Sequence, residues 1–114
     1  MKTSSLSCGA ARGLITPSAH LLPNLRGLQD RPIGGVLDDL YVRVIALGDG
    51  ENRALLVALD AGKAPRPGAN LASISARTGI PEENIFFFAS HTHTAPVIGG
   101  GPDGRVNDLR FKPS

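Results

Sequence analysis

The chain has no tryptophan, one tyrosine and four phenylalanines, so its core must be assembled from Ala, Val, Ile and Leu. It has a single cysteine, Cys8. That excludes an internal disulfide and a cysteine-based zinc site. No apolar run comes near the ~20 residues a helix needs to span a bilayer. Met1 to Ala11 lacks the apolar stretch of an export signal. The expectation is a soluble, cytoplasmic product, or a piece of an exported one. Clustered charge is missing as well. The net charge is +2, and Arg12, Arg26, Arg31, Arg43, Arg53, Arg66 and Arg77 stand at wide intervals. A nucleic-acid surface gathers its cations on one face and interleaves aromatics for stacking. Neither pattern is present, so nucleic acid is not an expected partner.

What is present fits one small domain. The 114 residues are 41% hydrophobic, enough for a core and too many for wholesale disorder. Gly and Pro are abundant, at 14 and 9, so much of the chain should be turn and loop. Residues 1–35, interrupted by Pro17, Pro23 and Pro32, read as an irregular arm. Residues 99–114 lose the apolar pattern and read as an irregular, truncated tail.

Between them the pattern is α/β. Leu40–Leu47 (LYVRVIAL) and Ala54–Leu59 (ALLVAL) read as strands joined by the turn Gly48–Asn52, an antiparallel hairpin. The second strand is apolar throughout, which predicts burial on both faces. Ala69–Thr78 places Leu71 and Ile74 on one helical face, with Arg77 in the last turn and Gly79 as the C-terminal cap. Asn84–Ala89 (NIFFFA) reads as a third strand. Strand, helix, strand over this length is a βαβ unit, whose strands run parallel. The fold expected is therefore a partial α/β sandwich domain: arm, β-hairpin, then βαβ.

This topology has a chemical consequence. Sites in open α/β sheets lie at the carboxyl ends of the strands. Asp60 ends one strand and Ser90-His91-Thr92-His93 ends its neighbour. Residues two apart on extended backbone lie on the same side, about 6.5–7 Å apart along the chain. Two imidazoles so placed can converge on one metal ion. Asp60 is the neighbouring candidate, as a ligand or as an acceptor for a histidine N–H. His20, in the arm, reads as a surface residue.

Five segments in order resemble the N-terminal part of the neutral/alkaline, non-lysosomal ceramidase family. Gly9-Ala10-Ala11 with Leu14-Ile15-Thr16-Pro17 is similar to its opening, in which a short strand runs into Ile-Thr-Pro. Gly35-Val36 with Asp38, Leu40, Tyr41 and Arg43 resembles its Gly-Val-His-Asp-Pro-Leu-Tyr-Ala-Arg stretch, with Leu37 at the place of the His. Ala54–Asp60 resembles its apolar strand ending in Asp. Thr78-Gly79-Ile80-Pro81 with Glu83-Asn84-Ile85 resembles its next turn. Ser90-His91-Thr92-His93-Thr94-Ala95-Pro96 resembles its His-Thr-His-Ser-Gly-Pro signature.

The resemblance implies a zinc-dependent amide hydrolase that cleaves a ceramide-like lipid amide to sphingosine and fatty acid. It implies His91 as a zinc ligand and His93 as a catalytic residue beside the metal. The family's remaining ligands, a His, a Glu and a Tyr, lie far downstream and have no counterpart here. The expectation is one incomplete zinc site, no turnover by this chain alone, and the remainder of the catalytic domain as a partner.

Two further readings fit the same residues. One is a non-catalytic fragment or interaction module, motivated by Phe86-Phe87-Phe88, whose rings are also expected to serve core packing. The other is a metallo-β-lactamase-type hydrolase, whose Asp-His completion is replaced here by Ala95-Pro96.

Overall fold

The computed structural model describes residues 5–27, 31–64 and 68–98. They form a four-stranded mixed sheet in the order β1-β2-β3-β4. The strands are β1 (Ser7–Leu14), β2 (Tyr41–Gly48), β3 (Arg53–Leu59) and β4 (Ile85–Ala89), and one helix, α1 (Gly68–Thr78), connects the last two. The pairs β1/β2 and β2/β3 are antiparallel, and β3/β4 is parallel. The hairpin and the βαβ unit are thus both present, a partial α/β domain. The tail at 99–114 lies outside the described residues.

The period-2 rule divides the sheet cleanly. Val42, Val44 and Ala46 of β2 stand in register with Leu59, Val57 and Leu55 of β3, and Val57 in turn with Phe87 of β4. This is the covered face. Leu55, Val57, Ile80 and Ile85 are buried there, with Leu71 and Ile74 of α1 and Phe87 packed on them. Each fully buried aliphatic side chain contributes roughly 1.5–3 kcal/mol, so this cluster is the main stabilising element.

Gly79 ends the helix as the sequence predicts, at φ +76°, and its N–H bonds to the Ser75 carbonyl. Asp49 closes the β2–β3 turn. Its Oδ1 accepts the N–H groups of Glu51 at 2.9 Å and Asn52 at 2.6 Å.

Two expectations need correction. The arm is not irregular throughout, because its first part is β1. That strand (SCGAARGL) lacks apolar alternation, as an edge strand with almost every side chain exposed can. Only the resemblance implied a strand there. Nor is β3 buried on both faces. Leu55 and Val57 are buried, whereas Ala58 on the other side is exposed. Among the described residues a single α-helix packs on the sheet, and it can cover only one side. Ile45, Phe86 and Phe88 on the opposite face remain 42%, 47% and 49% exposed.

Candidate metal and catalytic site

The parallel pairing of β3 and β4 continues past both strand ends. The Ser90 N–H donates to the Leu59 carbonyl, and the His91 N–H donates to the Ala61 carbonyl, both at 2.9 Å. Asp60-Ala61-Gly62 and Ser90-His91 therefore lie side by side, as the topology predicted. The His91 backbone sits in the left-handed region, at φ +63°. For a residue with a Cβ this conformation costs about 1–2 kcal/mol. Such strain persists only where the surroundings impose it, and here the Ala61 carbonyl holds the peptide in place.

The consequence appears in the side chain. His91 Nδ1 lies 2.6 Å from the Gly62 carbonyl oxygen. A carbonyl can only accept, so Nδ1 carries the proton, and the neutral ring presents a bare lone pair at Nε2. A carbonyl partner for one ring nitrogen is the usual arrangement behind a metal-binding histidine, because it sets both tautomer and orientation.

His93 faces the same point. Its Nε2 lies 3.2 Å from His91 Nε2, with the rings nearly perpendicular, at 85°. If both rings are neutral, His93 Nε2–H donates to the His91 lone pair. The spacing also matches a shared ion: two nitrogens at about 2.0–2.1 Å from a tetrahedral centre are about 3.3–3.4 Å apart. Both rings are exposed. Thr92 and Thr94 turn the intervening backbone, their hydroxyls 2.9 Å apart.

Asp60 is placed next to this pair in the chain's topology, but its oxygen has other work. Oδ2 accepts the Tyr41 N–H at 3.0 Å and an Arg43 N–H at 3.1 Å. The Tyr41 N–H, with Arg43 and the Ser90 hydroxyl adding to it, holds the Asp60 carboxyl below the usual carboxylate range against a smaller opposing effect of burial. Asp60 thus locks β2 to β3. No group of three or more His, Cys, Asp or Glu placed to hold a metal occurs among the described residues. The metal donors found together are His91 and His93. His20 is exposed on a short 3-10 helix (Ala19–Asn24), in line with the surface role expected of it.

The arm closes over this end of the sheet. Its residues Leu25 and, in the adjoining loops, Ala61 and Ala95 are buried, and the Val97 N–H donates to the Arg26 carbonyl. A cleft of about 410 Å³ runs between arm and loop, bordered by Leu22, Ile33, Asp39, Asp60, Thr92 and Thr94. Sequence reasoning found both histidines and Asp60. It missed the Gly62 carbonyl, since a backbone acceptor leaves no residue-type signal, and it missed the Tyr41–Arg43 grip on Asp60. No helix among the described residues is long and apolar enough to cross a membrane. No protein-family model matches this chain, and no curated protein matches it either.

Proposed function

We propose that this chain carries part of the zinc site of an amide hydrolase resembling the neutral ceramidases, acting on a ceramide-like lipid amide. One observation carries the reading: the lone pair of His91 Nε2, fixed by the Gly62 carbonyl, points to His93 Nε2 at 3.2 Å. His91 is the zinc ligand. His93 stands beside it, placed to hold or hand over a proton at Nε2. Zinc held there supplies Lewis-acid polarisation of an amide carbonyl. Asp60 fixes the end of β3 to β2 through Tyr41 and Arg43.

Two nitrogen donors are fewer than the three protein ligands usual for catalytic zinc. The remaining donors must come from elsewhere, and turnover by this chain alone is not expected. The test has two arms. Zinc content of the purified protein, against His91→Ala, reports the ligand; equal zinc in both rejects the assignment. Fatty-acid release from a fluorescent ceramide reports catalysis. Turnover by this chain alone that His93→Ala abolishes would show that the site is already complete.

A further inference from the structure

We propose that residues 25–27 of the arm are a strap that positions His93, with Leu25 as its anchor. The strap holds the far end of the loop that carries both histidines, residues 90–97, and so sets the spacing of their rings. The use of that spacing in catalysis rests on the zinc reading; the strap itself does not.

The two rings are held by different means. His91 is fixed from the end of β3. Its N–H donates to the Ala61 carbonyl at 2.9 Å, and its Nδ1 lies 2.6 Å from the Gly62 carbonyl oxygen. His93 stands two residues further on. Its ring meets the His91 ring at Nε2, and its backbone lies in a turn where the Thr94 N–H donates to the Thr92 hydroxyl at 3.3 Å. A bond of that kind shapes a turn locally and does not tie it to the sheet.

Beyond that turn the loop is tied to the arm. Ala95 is buried, and the Val97 N–H donates to the Arg26 carbonyl at 2.9 Å. A Cβ placed on Gly27 would come 4.0 Å from the Ala95 carbonyl oxygen. Residues 25–27 thus run beside residues 95–97. The strap is braced from behind as well. The Gly27 N–H donates to the Arg31 carbonyl at 2.8 Å, and Arg26 forms an antiparallel bridge with Pro32.

Leu25 gives the strap its hold. At 1% exposure it is the most deeply buried large side chain among the described residues. It stands outside the cluster beneath α1, which is built on Leu55, Val57, Ile80 and Ile85. With Ala61 and Ala95 it completes the buried apolar residues, and Ala61 and Ala95 flank the histidines at the carboxyl ends of β3 and β4. A small buried group apart from the main core can open without the sheet unfolding. Loss of Leu25 therefore releases residues 95–97 and, through them, His93. His91 keeps its bonds to Ala61 and Gly62.

The test is NMR of the whole isotope-labelled chain without metal, in alkaline buffer where imidazole is neutral. The wild type should show His91 protonated at Nδ1, a nuclear Overhauser effect between the His91 and His93 rings, and a Val97 amide protected from exchange. Leu25→Ala should keep the His91 tautomer and lose the ring-to-ring effect. Leu25→Met, which preserves volume, should restore it. If Leu25→Ala does not fold by circular dichroism, Val97→Pro removes the N–H that bonds to Arg26 and should give the same split. An unprotected Val97 amide or a missing ring-to-ring effect in the wild type would overturn the proposal. So would a ring-to-ring effect that survives either substitution in a folded chain, or a His91 tautomer lost together with it. Zinc titration is the second arm: Leu25→Ala should bind about tenfold more weakly than the wild type, as His93→Ala does. Equal affinity would overturn the strap. A wild type that binds no zinc would reject the zinc reading and leave the strap to be decided by the metal-free spectra.

Discussion

The Nε2 atoms of His91 and His93 lie 3.2 Å apart, and the Gly62 carbonyl behind His91 decides which of them offers a lone pair. This relationship makes the metal reading measurable. Zinc or cobalt titration should show one weak site per chain. His91→Ala and His93→Ala should each lower the affinity by on the order of tenfold or more, while His20→Ala leaves it unchanged. Isothermal calorimetry on the three variants checks this.

The left-handed backbone at His91 separates strain from chemistry. His91→Gly and His91→Ala remove the imidazole equally. Glycine adopts φ +63° without a Cβ penalty. His91→Gly should therefore be more stable than His91→Ala by about 1 kcal/mol, read from urea denaturation midpoints.

Asp60 makes acid stability a test of the strand lock. Its carboxyl is held low in the folded chain by the Tyr41 N–H and by Arg43. A lowered folded value means that folding favours the ionised form. The contribution is complete above the unfolded value near 3.8 and disappears as pH falls through the lower folded value. Asp60→Asn should be less stable by about 1 kcal/mol at neutral pH. Its stability should also decline less steeply below about pH 4, where the wild type loses this contribution.

Three consecutive phenylalanines should respond unequally. Phe87 packs on the core beneath α1, whereas Phe86 and Phe88 face outward and are 47% and 49% exposed. Phe87→Ala should cost about 3 kcal/mol. Phe86→Ala should cost less than about 1 kcal/mol. Thermal unfolding of the two variants decides this.

Gly79 provides the control for helix capping. It sits at φ +76°, and Arg53 Nη2 lies 3.0 Å from the place a Cβ would take, so Gly79→Ala should destabilise by about 1 kcal/mol. Gly9→Ala, where nothing lies within 4 Å, should be neutral or slightly stabilising. Urea midpoints of the two variants give the comparison.

Much of the fold was legible because its signals are local. β2 and β3 are apolar runs around a turn rich in Gly, Asp and Asn. α1 carries its apolar pair at helical spacing and ends in glycine. The βαβ rule then brought Asp60 next to His91. β1 was not legible from its residues, because an edge strand made of Ser, Gly, Ala and Arg forms through backbone pairing that any residue can supply. The open face was legible in β4, where three consecutive phenylalanines must put rings on both sides of the sheet, and not in β3, where an apolar residue reads the same whether or not something covers it. In the site, the histidines announce themselves by type. The Gly62 carbonyl, which sets the His91 tautomer, belongs to the backbone and depends on a crossover that no short motif encodes.

That crossover has a kinetic side. The bond from His91 to Gly62 joins residues 29 apart in the chain, and it can form only after α1 has docked and β4 has paired with β3. The two histidines therefore acquire their relative geometry late in folding and lose it with the first opening of β4. Amide exchange at His91, whose N–H is held by Ala61, should report that opening directly. The lifetime of any ion bound to the pair can be no longer than the intervals between such openings.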